Sequence, residues 1–202
     1  MNKHLIASLI LGGFAANAHA ASPNYDKLEI GYTSADYRDG IVEFDVNAYN
    51  VAGSMLLSDH FFVQAGYVNN RDEDSDEDFE SRTYNIGLGF RAAIVDSVDF
   101  NATVDYLNTR TTLNVPQQGL RRTDTDSMFG FGLGLRAQVT EPLELALMVK
   151  RTSASDIGDA AKVAQATANY NFTDHLGLYM GYSRSLETSD ADAWTLGARF
   201  SF

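Results

Sequence analysis

The chain has 202 residues, no cysteine, three prolines, and 27 acidic against 15 basic side chains, for a net charge of −12. A chain without cysteine cannot be a disulfide scaffold, and one this acidic lacks the Lys/Arg clusters that nucleic-acid phosphates demand. The length suits a single domain.

The first twenty residues, MNKHLIASLILGGFAANAHA, give a basic start, an apolar stretch from Leu5 to Ala18, and Ala18-His19-Ala20. That pattern predicts a secretory signal peptide cleaved after Ala20, because the apolar stretch is shorter than the ~20 residues of a membrane-spanning helix. Cleavage removes Lys3 and no acid, so the remaining 182 residues, 21–202, carry −13.

From there the chain alternates with period two, which strands produce and helices do not. Strands are expected at about 25–34, 41–57, 61–68, 82–95, 98–107, 127–139, 143–151, 162–172, 176–183 and 193–202. In FGFGLGLRAQV, Phe129, Phe131, Leu133, Leu135, Ala137 and Val139 share one face, while Gly130, Gly132, Gly134, Arg136 and Gln138 share the other. YNIGLGFRA, VDFNATVDY, LELALMVK and WTLGARFSF divide in the same way. The second strand is untidy: Val42, Phe44 and Val46 are out of phase with Tyr49, Val51, Met55 and Leu57, which predicts a bulge near Ala48.

Short turns, Ser58-Asp59-His60, Asp96-Ser97, Thr140-Glu141-Pro142 and Thr173-Asp174-His175, alternate with longer polar connections at 35–40, 69–81, 108–125, 152–161 and 184–192. Asp and Ser suit such turns because their side chains bond the local backbone. The order is a run of hairpins, tight at one end and long at the other. Ten strands are counted; the alternative is eight, if alternating loop segments inflate the count.

Period two alone leaves open whether the apolar face looks inward, as in a soluble barrel, or outward to lipid. The polar face is rich in Gly, Asn, Thr and Gln, and carries Glu29, Arg91, Asp99, Asp105, Arg136, Glu144, Lys150 and Arg199, opposite charges in similar number. Aromatics gather at strand ends: Tyr32, Tyr67, Tyr84, Tyr106, Phe129, Tyr182 and Trp194 toward the long loops, and Phe61, Phe90, Phe100, Phe172, Phe200 and Phe202 toward the short turns. Two aromatic girdles flanking an aliphatic band are what bilayer interfaces select. Arg151 and Lys162, the charges on the apolar face, fall at loop-side ends where long side chains can snorkel. Lipid offers no hydrogen bonds, so such a sheet must close. The expected fold is a closed antiparallel up-and-down transmembrane β-barrel.

The signal peptide, short turns, long loops and final Gly197-x-x-Phe200-x-Phe202 resemble the OmpA/OmpX-like family of small Gram-negative outer-membrane β-barrels, over the whole of 21–202. The resemblance implies periplasmic short turns, surface loops, and contact with outer-membrane lipids and lipopolysaccharide. It also implies that the last strand, with Trp194, Gly197, Phe200 and Phe202, is the assembly signal read by the barrel-insertion machinery after delivery by periplasmic chaperones.

Nothing in the chain points to an enzyme. After cleavage His60 and His175 remain, and both belong to short turns rather than to a cleft. Two histidines without a spaced carboxylate or cysteine make an incomplete zinc site. The glycines alternate along strands instead of forming a phosphate loop, so no cofactor is expected. Asp72, Glu73, Asp74, Asp76, Glu77, Asp78 and Glu80 make one acidic loop that fails the calcium-loop pattern, because Glu77 stands where glycine is required; a mobile, solvated loop is expected, with a looser divalent-cation site as the alternative. Arg110, Arg121 and Arg122, in the next long loop, are better placed to meet lipid phosphates or an acidic partner, although ordinary surface basic residues are the expected reading. The expected role is a surface-exposed structural or interaction protein, adhesin-like; the alternative is a small passive pore whose lumen charges set ion preference.

Overall fold

The computed structural model describes residues 25–39, 42–72, 78–95, 97–115, 120–154, 160–186 and 190–202. The signal-peptide segment lies outside the described residues. Ten strands form, β1 (Lys27–Asp39), β2 (Val42–Leu56), β3 (Phe61–Asp72), β4 (Asp78–Val95), β5 (Val98–Val115), β6 (Leu120–Gln138), β7 (Leu143–Ala154), β8 (Ala160–Asn171), β9 (Leu176–Ser185) and β10 (Asp190–Ser201). Each pairs antiparallel with its neighbours in sequence, and β1 pairs with β10 from Lys27↔Ser201 to Arg38↔Asp190, which closes the barrel. No strand edge is left to face lipid. Ten strands, not eight, is therefore the count.

Most strands run further toward the loops than expected, most of all β5 and β6. Residues 108–125, read from sequence as a loop, are mostly strand, with β5 and β6 in register as far as Val115↔Leu120. The reason is a ladder of paired hydroxyls, most of them on threonine. Thr112 and Thr123 meet at 3.3 Å, Thr83 and Thr109 at 2.9 Å, and Ser81 and Thr111 at 3.5 Å. Thr suits a pleated surface as well as Val does, and cross-strand hydroxyl pairs add about 0.2–1 kcal/mol each.

The bulge expected near Ala48 does not occur. β2 keeps an unbroken register with β1 from Val42 to Ser54 and with β3 from Asn47 to Leu56. Val46 and Ala48 point inward instead, and join Ala35, Ala52, Val68, Val163, Ala191 and Ala193 in an apolar cluster inside the loop-side half of the barrel. The phase change in sequence records an inner face that, on β2, turns from polar to apolar toward the loops. Among the described pairs, the register shifts between Ala93 and Val95, next to the β4–β5 turn.

Outside, alternate residues are exposed apolar side chains, such as Ile86, Leu88, Leu133, Leu147 and Leu196. At the loop-side end the aromatics stand as cross-strand pairs: Tyr32–Tyr49, Tyr67–Tyr84, Tyr106–Phe129 and Tyr182–Trp194, with ring centroids 4.7–5.6 Å apart. Phe61–Phe90 and Tyr170–Phe172 form the opposite belt.

The two Asp-His turns have one construction. Leu57 and Ser58 donate backbone N–H groups to Phe61 O, and Phe172 and Thr173 do the same to Leu176 O. Ser58 Oγ accepts from the N–H groups of His60 and Phe61, and Thr173 Oγ1 from those of His175 and Leu176. Each histidine carbonyl accepts a 2.8 Å bond from the neighbouring strand, from Arg91 or from Ser201, and each ring lies 6.1–6.2 Å from a phenylalanine, Phe90 or Phe200. The repeated sequence is a repeated corner of the barrel.

Candidate functional site

Inward residues come from every strand, and their charges meet near the short-turn end. Glu29 and Arg199 share a register row on β1 and β10, and Arg199 Nε donates to Glu29 Oε1 at 2.6 Å. The same guanidinium reaches across the lumen to β7, where Nη1 donates to Glu144 Oε2 at 3.2 Å. Arg136 on β6 closes the chain, with Nε and Nη2 both donating to Glu144 Oε1 at 3.1 and 3.0 Å. Lys27 Nζ lies 3.0 Å from Glu29 Oε1. Glu29, Arg136, Glu144 and Arg199 are each at most 2 % exposed. Charges buried this deeply persist only when paired, and this alternation of sign pairs them.

Two further pairs complete the wall. Arg91 and Asp99 on β4 and β5 lie 3.6 Å apart, with Arg91 partly exposed. Lys150 and Asp105 lie 2.9 Å apart, and Gln64 Nε2 donates to the other oxygen of Asp105. All eight charges expected on the polar face thus line the lumen, in three groups.

The floor of the lumen is closed by Tyr25, which precedes β1. Its ring stacks 4.7 Å from Phe62, with the guanidinium carbons of Arg136 and Arg91 at 4.4 and 5.0 Å from the ring centroid. Its hydroxyl donates to Asp99 Oδ2 at 3.3 Å. Burial pushes the phenol up from its ordinary range, against the opposing pull of Arg136. A single aromatic side chain so ties β3, β4, β5 and β6 together. Beside Arg136 a void of about 10 Å³, lined by Asn101, Met148, Gln165 and Thr167, has room for about one water.

The luminal glycines have a specific use. Gln64, Gly87 and Asp105 occupy one row on β3, β4 and β5, and Gln64 reaches Asp105 over the bare backbone of Gly87. Tyr179, Gly197, Gly31 and Asn50 occupy another, on β9, β10, β1 and β2, and Tyr179 OH donates to Asn50 Oδ1 at 3.0 Å over both glycines. A Cβ at Gly87 would fall on the Asp105 carboxylate, and one at Gly197 on the Tyr179 ring.

Sequence reasoning missed Tyr25, Lys27, Phe62, Gln64 and Tyr179. Lys27 and Gln64 have the polar parity of their strands. Phe62 and Tyr179 carried a signal of their own, an aromatic on the polar face directly opposite glycine, at Phe62↔Gly89 and Tyr179↔Gly197. Of the acidic loop, Glu73, Asp74, Asp76 and Glu77 lie outside the described residues. Asp72 closes β3, Asp78 opens β4, and Glu80 is bound by Arg82 Nη2 at 2.6 Å. Trp194, Phe200 and Phe202 face outward on or just beyond the closing strand, while Gly197 faces in under Tyr179. His60 and His175 hold turns and meet no carboxylate cluster among the described residues.

Residues 6–172 match the sequence model of the outer membrane protein beta-barrel domain. The barrel is similar to the translocator domain of the autotransporter NalP from Neisseria meningitidis, with a TM-score of 0.53 at 12% identity, covering 96% of this chain and 93% of that one. It is also similar to neisserial surface protein A, with a TM-score of 0.50 at 10% identity, covering 91% of this chain and all of that one. At such identities the likeness is one of fold. No curated protein sequence matches the chain.

Proposed function

The chain belongs to the outer membrane protein beta-barrel family and resides in the outer membrane, and on that premise we propose that it is a structural and interaction protein whose work is done by its surface hairpins, not by its lumen. The observation that carries this reading is an interior crossed by ion pairs near the short-turn end. The Glu29–Arg199–Glu144–Arg136 chain crosses the lumen, Tyr25 covers the floor, and the apolar cluster around Ala48 and Val163 lines part of the loop-side half. What remains available is the arm of β5 and β6 above the Tyr106–Phe129 pair, residues 107–115 and 120–128, with the neighbouring hairpins. At ~3.3 Å per residue this arm rises roughly 30 Å beyond the aromatic belt.

Residues 1–20 are the export signal in this reading, and β10 is the strand recognised by the barrel-insertion machinery. Cells displaying the full chain should adhere to host-cell surfaces or to one another. Replacing residues 109–125 by a two-residue turn should bring adhesion to background while the barrel still shows its heat-dependent mobility shift. Adhesion undiminished in the trimmed protein would sink the reading.

A narrow passive pore is the second reading. It draws on Asn85, Asn101 and Asn169, buried amides on β4, β5 and β8 whose nitrogen and oxygen atoms have no protein partner among the described residues. A polar wall of that kind suits permeating water or ions.

A further inference from the structure

The outermost stretch of β6 is paired on one side only among the described residues. Its register with β5 runs from Val98↔Ala137 to Val115↔Leu120, but with β7 it stops at Met128↔Ala154. β7 ends at Ala154 and is paired to β8 at Ser153↔Ala160, so it does not follow β6 outward. The direction of the hydrogen bonds along β6 is fixed at its other end. Gln138 donates its N–H to Ser97 O, beside β5, and Val139 donates to Leu143 O, on β7. Even-numbered residues of β6 therefore bond β5, and odd-numbered ones face the β7 side. Above Ala154, Arg121, Thr123 and Thr125 turn their N–H and C=O groups to an edge that no described residue pairs with.

An open edge is a template for another strand, and charge on it ordinarily repels one. The charges here, Arg121, Arg122, Asp124 and Asp126, instead select a partner. A second copy pairing antiparallel through the same edge is related to the first by a two-fold axis. Paired residues share a face of the sheet, so the axis passes through one residue of β6. Centred on Arg121 or Arg122, it sets that arginine against itself; centred on Asp124 or Thr125, it sets aspartate against aspartate. Centred on Thr123, it sets Arg122 of each copy against Asp124 of the other, and no like charges meet. Thr123 then faces its own copy, and Arg121 faces Thr125. Arg122 Nε and Asp124 Oδ2 already lie 2.9 Å apart within the strand, both well exposed, so the pair makes a square of four alternating charges.

We propose, resting on the reading that the surface hairpins do the work, that the free edge of β6 joins two copies of this chain head to head across two facing membranes. β6 descends from Leu120 at its loop end to Gln138 at the short-turn end. Its antiparallel partner ascends, so the second barrel is inverted. Copies inserted in one membrane run β6 in the same direction and cannot form this pair. Thr123 lies six positions beyond Phe129 of the Tyr106–Phe129 belt pair. At ~3.3 Å per residue that is about 20 Å, so two overlapped arms hold the facing belts at most roughly 40 Å apart. The partner is the same protein on a neighbouring cell, and the contact is strand addition, with backbone bonds for affinity and the Arg122–Asp124 oppositions for register.

The test mixes two differently labelled populations of cells displaying the full chain and counts aggregates that contain both labels. Folding of every variant is checked by its heat-dependent mobility. Wild-type cells should aggregate with wild-type cells. Arg122→Asp sets acid against acid in the self-pair, and Asp124→Arg sets base against base, so each variant should form about tenfold fewer aggregates with itself. Cells of the Arg122→Asp variant mixed with cells of the Asp124→Arg variant should recover most of the wild-type aggregation, because every charge again faces its opposite across the pair. A mixture no better than either variant alone would overturn the proposal, as would undiminished self-aggregation of either variant. Wild-type cells that adhere to host-cell surfaces through residues 109–125 and ignore one another would overturn it too, while leaving the reading of the hairpins intact.

Discussion

At the scale of single residues, Glu144 holds the most. Its two carboxylate oxygens join Arg136 on β6 to Arg199 on β10, and it is fully buried. Glu144→Gln keeps the shape and removes the charge, leaving the buried guanidinium groups of Arg136 and Arg199 without the carboxylate between them. We expect a loss of about 3–5 kcal/mol, the usual cost of breaking a buried pair, read from urea unfolding in lipid vesicles. A loss below about 1 kcal/mol, the value of a surface pair, would mean that the lumen is wetter than its geometry indicates. The members of this network were legible from parity, because a charge out of phase with Val and Leu must face inward. Tyr25 was not legible. It precedes the periodic stretch, and only the closed barrel brings Arg91, Arg136, Asp99 and Phe62 to its ring.

At the scale of elements, the two Asp-His corners make the clearest case of sequence dictating structure. Ser58 and Thr173 each accept two backbone N–H bonds with one hydroxyl. Ser58→Ala and Thr173→Ala should each cost about 1 kcal/mol. The corners belong to separate hairpins with no shared partner, so the double variant should lose the sum within about 0.5 kcal/mol. A marked departure from additivity would show that the corners act through a common element. Strand number and order were readable from these turns and from alternation. Strand ends were not, because Thr109, Thr111, Thr112 and Thr123 look like loop residues when only apolar alternation is counted. Their hydroxyl pairing extends the ladder where no hydrophobic signal exists. Val46 and Ala48 misled in the opposite sense, since an apolar residue on the inner face reads as a change of register.

At the scale of the whole molecule, the wall is continuous, the outer face is apolar between two aromatic belts, and the interior is crossed by charge pairs below and lined by polar and small apolar side chains above. The outward direction of the apolar face was legible from composition, since glycines and opposed charges crowd the other face. The crossing was not, because alternation reports which way a side chain points and not how far it reaches across the lumen. Arg199 meeting Glu144 and Tyr179 meeting Asn50 are contacts between strands that do not adjoin. They exist because the ring is small enough to be bridged. The crossed lumen is the central claim, and single-channel conductance of the refolded mature protein in a planar bilayer tests it most directly. Correctly folded protein should be silent; discrete, reproducible steps whose ion preference changes on Arg136→Ala would contradict the account and make the lumen the functional path.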